Sequence, residues 1–477
     1  MRPSVLLILI VASSIVPAGS QAPAAPRALA LTNVTVIDAT GAAPKPGMTV
    51  VIAGDRIAAI EKTGDNPVPR DTRIVDAAGK FLIPGLWDMH VHWYDERYLP
   101  LFTANGVTGV RQMWGMPMHH AWRMKQRNGS LIGPRQSIAS TIVDGPKPFW
   151  PSSLAVHNET EARAAVADAR NAGADFVKVY GFLPRDAYFA IADESKKRGI
   201  PFAGHVPYAI RASEASDAGQ KSIEHLTGIL LEASTREAEL RHALNQAASA
   251  PAPTSAVLAL ASRQARTLLE TFDATKAGDL FARFAKNQTW QCPTLTVLRA
   301  MAFLDDRDFT ADPRLKYMPP GIRTRWDPQN DFRLKNRTAE DWAIRKKLYQ
   351  QELRIIAPMR RAGVEFLAGT DVLNPFCLPG FSLHDELALL VKAGLTPMEA
   401  LQAATRNPAR YLGTINASGT IEKGKTADLV MLDADPLADI HNTTRIAGVI
   451  VGGRYFAKAA LDEMLAGIEA IGRGAPR

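Results

Sequence analysis

Four times along the chain an amphipathic stretch runs into a glycine and then into a short apolar, β-rich run: "EARAAVADARNAGADFVKVY", "FAIADESKKRGIPFAGHV", "RASEASDAGQKSIEHL" and "LRIIAPMRRAGVEFLAGTD". Apolar residues at helical spacing closed by Gly173, Gly199, Gly219 or Gly363 predict a helix and its C-cap, and the apolar run after each predicts a strand. The phrases "PGLWDMHVH", "GVTGVRQMW", "RQSIASTIV" and "TWQCPTLTV" bring the predicted strands to eight. Helix alternating with strand implies parallel strands with helical crossovers. Eight such units across residues 84–412 predict an α/β protein of the (β/α)8 TIM barrel type, with insertions at roughly residues 228–288 and 299–350 lying over the barrel mouth. The alternative, a doubly wound open sheet, would call for a GxGxxG or phosphate-loop phrase after a strand, and none is present. On either side lie two β-rich ends, residues 29–83 and 413–460, in which alternating or continuous apolar runs sit between Gly, Asp and Asn turns. They are predicted to pair into one small, discontinuous β-sandwich domain beside the barrel.

This pattern gives the ionisable residues their meaning. His90 and His92 end the first predicted strand, one residue apart and therefore on one face of an extended chain. Lys178 lies in "FVKVY" of the fourth, His205 ends "FAGHV" of the fifth, His225 ends "IEHL" of the sixth and Asp371 ends "LAGTD" of the eighth. Any one of them alone reads as a hydrogen-bonded core histidine or a capping aspartate. Together they occupy the C-terminal strand ends, where such barrels keep their active sites, and four of the chain's ten histidines are among them. A shared metal site is the predicted outcome. Lys178 stands out because a buried, unpaired ammonium is strongly disfavoured. Either a barrel carboxylate pairs with it, or it loses its proton and takes up CO2 as a carbamate, an oxygen ligand able to bridge two cations.

Composition changes this picture little. The chain has 477 residues, 46% of them hydrophobic and 22% charged, with a net charge of +8. The basic residues are scattered among acids without a long Lys/Arg block, so a basic surface is expected and nucleic-acid binding is not. The N-terminus carries more information. "MRPSVLLILIVASSIVPAGSQAPAAP" joins a basic start to an apolar core from Val5 to Val16, then Ala18 and Ser20 at the positions a signal peptidase reads. Residues 1–22 are predicted to be a secretory signal cut near Ser20 or Ala22, too short in its apolar run for a permanent membrane anchor. The mature protein is then periplasmic or secreted, with no stable membrane insertion. In such a compartment Cys292 and Cys377, the two cysteines, either pair or stay free and buried. A homo-oligomer remains open.

The set HVH, FVKVY, GHV, EHL and GTD, flanked by "PGLWDMHVH" and a late "GKTADLVMLDADP", resembles the amidohydrolase superfamily from about residue 30 to 457. It is similar in particular to the binuclear, secreted, prolidase-like and carboxypeptidase-like members with a barrel lysine. The resemblance implies that His90, His92 and Asp371 hold a first metal, that His205 and His225 hold a second, and that carboxylated Lys178 and a water bridge them. Imidazole and carboxylate ligands suit two divalent ions, zinc first, with manganese or cobalt open. One departure bears on specificity: prolidase-like members carry a histidine in a Gly-rich phrase after the third strand, where this chain has Asp144 in "STIVDGPKPFWP".

The expected chemistry is hydrolysis of an amide in a small carboxylate-bearing substrate such as a dipeptide or N-acyl amino acid, with hydroxide generated near neutral pH. Asp371 is expected to serve as general base and then acid. Tyr180 is a candidate donor to the oxyanion or to a substrate carboxylate, or else a packing aromatic. Arg111, near the end of the second strand, is a weaker candidate for an anionic substrate group. Lactones and other esters are alternatives on the same centre. A mononuclear deaminase would also show HxH and the two later ligands, but with a Glu three residues past His205, where Tyr208 stands. A non-enzymatic metal- or solute-binding protein would need no Asp371 as a proton shuttle.

Overall fold

The structure, a computed structural model, describes residues 28–473; the predicted signal segment lies outside the described residues. The fold is mixed α/β. Strands Leu86–Val91, Val107–Gln112 and Arg135–Ile138 pair in parallel, and so do Val177–Val179, Phe202–Gly204, Ser222–Glu224 and Trp290–Cys292. A parallel bridge between Ala139 and Phe176 links the two sets. The eighth predicted run, "VEFLAGTD", forms bridges and single hydrogen bonds in place of a continuous ladder. Phe366 bridges Gln291, Val372 bridges Val91, Met89 N–H donates to Ala368 at 2.8 Å and Asp371 N–H donates to His90 at 2.8 Å. Its backbone is thereby tied to both Trp290–Cys292 and Leu86–Val91.

The crossovers are helices with the predicted ends. Helix Arg185–Arg198 stops at Gly199, whose φ of 62° places it in the left-handed region where a side chain would be strained, and whose N–H returns to Lys196 and Ser195. These helices bury alanine, valine, leucine and isoleucine against the strands in one large core that runs from Ile37 to Ile468.

The two chain ends meet through a strand pair. Strand Phe81–Pro84 pairs antiparallel with Leu429–Leu432. Hydrogen bonding then joins eight strands in one sheet. Strand Leu29–Val36 accounts for this: its first half pairs with Arg73–Asp76 and its second with Phe81–Pro84, so one long strand serves two neighbours along the same edge. The predicted boundary at residue 460 falls inside helix Lys458–Gly472, which buries Leu461 and Ile468 in the main core. No helix among the described residues is long and apolar enough to cross a membrane. Cys292 and Cys377 are both free and buried.

One buried carboxylate links the scaffold to the strand ends. Glu386, on helix Phe381–Lys392, accepts N–H bonds from Leu295 at 3.0 Å and Thr296 at 2.8 Å, and the Thr296 hydroxyl at 2.8 Å. It thus satisfies the first orphan donors of helix Leu295–Phe303. Glu386→Ala is expected to destabilise the fold by about 3 kcal/mol, since three buried donors lose their acceptor. Burial pushes the Glu386 carboxyl up to about 7, so the folded chain holds this proton more tightly than the unfolded one. Stability from this group therefore falls as pH rises from about 4.5 to 7. Thermal unfolding of wild type and Glu386→Gln across that window is expected to show the wild-type Tm declining relative to the variant.

Candidate active site

Past the C-terminal ends of the parallel strands lies a cavity of about 440 Å3. His92, Tyr180, His205, His225 and Asp371 face it; His90 and Lys178 lie beneath it, with no exposed surface. The tightest group is His90, His92 and Asp371. Asp371 Oδ1 lies 3.3 Å from His90 Nε2 and 3.2 Å from His92 Nε2, and the two Nε2 atoms are 3.3 Å apart. His225 Nε2 is 3.8 Å from Asp371 Oδ2. The His225 ring centroid lies 4.5 Å from that of His90 and 4.9 Å from that of His205. His225, Thr294 and Asp371 all adopt left-handed backbone conformations, with φ of 57°, 48° and 60°, a strain that clusters at functional sites.

Hydrogen bonds decide which nitrogen each imidazole presents. Glu224 Oε2 lies 2.7 Å from His90 Nδ1, so the proton sits on Nδ1 and Nε2 turns a bare lone pair to Asp371. The Thr294 hydroxyl donates to the Pro293 carbonyl at 2.8 Å, so at 2.6 Å it accepts from His225 Nδ1–H. Burial lowers the pKa of His90 and His205, and it pushes His225 down to about 4, so these rings are neutral and available as ligands. Burial alone would raise the Asp371 carboxyl, but His225, His92 and Lys178 outweigh it and hold it below the usual range. Asp371 Oδ1 and His92 Nδ1 are buried without a hydrogen-bond partner. Three close donors of this kind, two imidazole and one carboxylate, are what a divalent cation takes.

Lys178 Nζ is buried and makes no hydrogen bond among the described residues. Burial pushes it down to about 8, while the nearby carboxylates of Glu224 and Asp371 pull the other way. The alternative of an ion pair with a barrel carboxylate is not formed among the described residues: Glu224 belongs to Arg111. Above the lysine, Tyr180 stacks on His205 with ring centroids 4.0 Å apart and receives a hydrogen bond from Trp150 Nε1 at 2.9 Å.

The expectation for Arg111 is corrected. It is fully buried beneath the site and does not line the cavity. Its guanidinium donates through Nε to the Met89 carbonyl, through Nη1 to Ser222 Oγ and the Tyr411 hydroxyl, and through Nη2 to both oxygens of Glu224, at 2.6–3.0 Å. A strand residue pointing inward below the last turn of side chains meets other strands, not substrate. Arg111 positions Glu224, which positions His90. His90, Glu224 and Cys292 also lie close together, but Glu224 is already engaged by Arg111 and Ser222. That group is the support of His90 and not a second ion site.

The cation that does face the cavity comes from the predicted 299–350 insert. Arg333 lies among Tyr94, Trp114, Trp150 and Leu298, held through Nε and Nη2 by Asp331 and through Nη1 by Asn374 at 2.9 Å. The 228–288 insert contributes no residue to this lining. Asp144, in the place of the histidine of prolidase-like proteins, accepts N–H bonds from Gly145, Phe149 and Phe182 and so pins the loop that carries Trp150. Sequence reasoning missed Glu224, Thr294, Arg333 and Trp150. Glu224 and Thr294 each adjoin a strand end already singled out, which was the only local signal.

Arg111→Met is expected to cost about 3–5 kcal/mol, because Glu224 stays buried without its counter-charge. Glu224→Gln is expected to weaken metal binding by about 10–100-fold through loss of the fixed His90 ring. Thermal unfolding and metal titration read the two effects separately.

Residues 334–455 match the amidohydrolase family. Among curated relatives, imidazolonepropionase of Agrobacterium fabrum is 35% identical over 98 residues, 20% of this chain and 22% of the relative. Ochratoxinase of Aspergillus niger is 32% identical over 122 residues, 24% of each. The chain thus spans about a quarter of the length of the curated relatives it matches. Likeness in structure extends further. A bottromycin amidohydrolase superposes with a TM-score of 0.72 at 25% identity, covering 94% of this chain and 91% of its own. An Xaa-Pro dipeptidase superposes with a TM-score of 0.64 at 20% identity, covering 90% and 100%. The family match over residues 334–455 and the likeness in structure to an amidohydrolase and a dipeptidase agree with the strand-end constellation.

Proposed function

We propose that the protein is a metal-dependent amide hydrolase acting on a small substrate with a free carboxylate, such as a dipeptide or N-acyl amino acid, at the mouth of a closed (β/α)8 barrel. The observation that carries this reading is the buried Lys178 amine, without a hydrogen-bond partner among the described residues and close enough to His90, His205, His225 and Asp371 to act on each electrostatically. The bridge between Val91 and Val372 and that between Gln291 and Phe366 support closure. His90, His92 and Asp371 would hold one ion and His205 and His225 a second, with Lys178 as its carbamate between them. Two such cations, zinc in the first instance, would polarise the scissile carbonyl and lower the pKa of water.

The chain's own groups supply the rest. Ionised Asp371 accepts the proton of the attacking water and returns it to the leaving nitrogen. Tyr180, its hydroxyl fixed by Trp150, is placed to donate to the oxygen that gains charge. Tyr94, Trp114, Trp150 and Leu298 keep bulk water from the reacting atoms and fit an apolar side chain. Arg333 keeps N–H groups that Asp331 and Asn374 do not use, and these face a substrate carboxylate. The N-terminal pattern supports export to the periplasm or beyond, which cell fractionation checks.

Elemental analysis is expected to find about two metal equivalents per chain, and one equivalent would reject the second ion. Lys178→Ala is expected to lose metal and activity, with partial return on adding bicarbonate or a short carboxylate. Lys178→Arg is expected to fail, since a guanidinium does not become an oxygen ligand.

One charge-assisted hydrogen bond of about 1.5–3 kcal/mol gives a cleaved dipeptide a roughly ten- to hundredfold advantage in kcat/KM over its C-terminal amide. Arg333→Met is expected to abolish that advantage. Equal values in wild type, or faster turnover of neutral esters and lactones, would reassign the substrate class.

A further inference from the structure

A second cleft, of about 490 Å3, lies where helix Pro117–Arg127 and strand Arg135–Ile138 meet the hairpin of strands Ile446–Val451 and Arg454–Ala457. Arg135 opens its strand, so the cleft sits at the N-terminal end of the parallel strands and shares no lining residue with the cavity of His92 and Asp371. At this end of such folds, residues ordinarily serve stability.

Its charge is unbalanced. Arg123, Arg127, Arg135 and Arg454 line it against one carboxylate, Asp55. Arg123 is paired with Asp175 at 2.7 Å and Arg135 with Asp428 at 2.6 Å, while Asp55 lies 3.5 Å from Arg56. Among the described residues, Arg127 and Arg454 make no ion pair. Arg454 rests instead over the Phe456 ring, 5.6 Å from its centroid. With Asp175 and Asp428 counted, the cleft still keeps a positive excess.

One of its arginines, Arg135, is held in place. Asp428 receives Arg135 Nε on Oδ2 and the Gly452 N–H on Oδ1 at 2.6 Å. The bond through Nε fixes the guanidinium plane, and both terminal nitrogens keep their protons free of any acceptor among the described residues. Nη2 lies beside Gly452, where an added Cβ would come within 3.8 Å of it. A fixed guanidinium with two open nitrogens, flanked by two more from separate segments, matches a tetrahedral oxyanion with several oxygens to share. Leu131 and Phe456 supply an apolar wall beside it.

We propose that this cleft binds a small organic phosphate, a phosphate monoester on an apolar or aromatic body, and that the ligand clamps the chain-end sheet to the helix and strand that follow the first metal-site strand. The driving force is the positive excess among arginines that the fold holds together without enough carboxylate to balance them.

Phenyl phosphate is the probe, used with the full metal-loaded chain at 0.15 M salt and followed by calorimetric titration and thermal unfolding. It is expected to bind saturably and to raise Tm by about 3 °C at a hundredfold excess over Kd. The exposed pair Arg127→Gln and Arg454→Gln is expected to weaken binding tenfold or more while leaving the ligand-free Tm and amide hydrolysis unchanged. Arg135→Gln is expected to abolish binding. Absence of saturable binding overturns the proposal. So does binding that survives the double substitution but disappears on chelation, which places the phosphate on the active-site metals. Inorganic phosphate or benzoate binding as tightly as phenyl phosphate would overturn the assignment to an organic phosphate.

Discussion

Beneath the cavity, the ion pair between Arg111 and Glu224 is the interaction on which the candidate metal-binding corner depends. Neither side chain has exposed surface, so each is tolerable only with the other in place. All five N–H groups of Arg111 find acceptors, and Glu224, which also accepts the Ser222 hydroxyl, keeps capacity for one more donor, which His90 supplies. That last bond sets the tautomer and angle of His90, and with them the position of the lone pair facing Asp371. The corner is therefore built from below, by charge that must be answered inside the protein.

The same logic, with the opposite outcome, governs Lys178. Its neighbours could have neutralised it, but Glu224 is committed to Arg111 and Asp371 is drawn towards His90, His92 and His225. An amine left without a hydrogen-bond partner in such a place is driven towards its neutral form. Higher up, the cavity wall is assembled from loops instead of strands. Asp144 fixes the loop bearing Trp150, Trp150 fixes the hydroxyl of Tyr180, and a distant insert brings Arg333 over the top. Strand ends set the ionisable groups, and loops shape the space above them, as expected where a rigid scaffold carries variable connections.

What the sequence determined by itself was local and periodic. Helical spacing closed by glycine, followed by an apolar run, marks where each crossover ends and each strand begins, because backbone sterics and side-chain periodicity act within a few residues. The same reading placed His90, His92, His205, His225 and Asp371 at strand ends and Lys178 within a strand, and the structure brings them to one place. It also identified two β-rich ends able to pair. What only the tertiary structure decided involves partners far apart in the chain. Arg111 and Glu224 are 113 residues apart, His225 and Thr294 are 69 apart, and Arg333 reaches the cavity from an insert with no periodic signal of its own. An arginine near a strand end looks the same in sequence whether it points at substrate or at a buried carboxylate. Which it does depends on which strands close beside it, and that is a property of packing: charge buried from several directions must be balanced there, and no stretch of sequence contains all the directions at once.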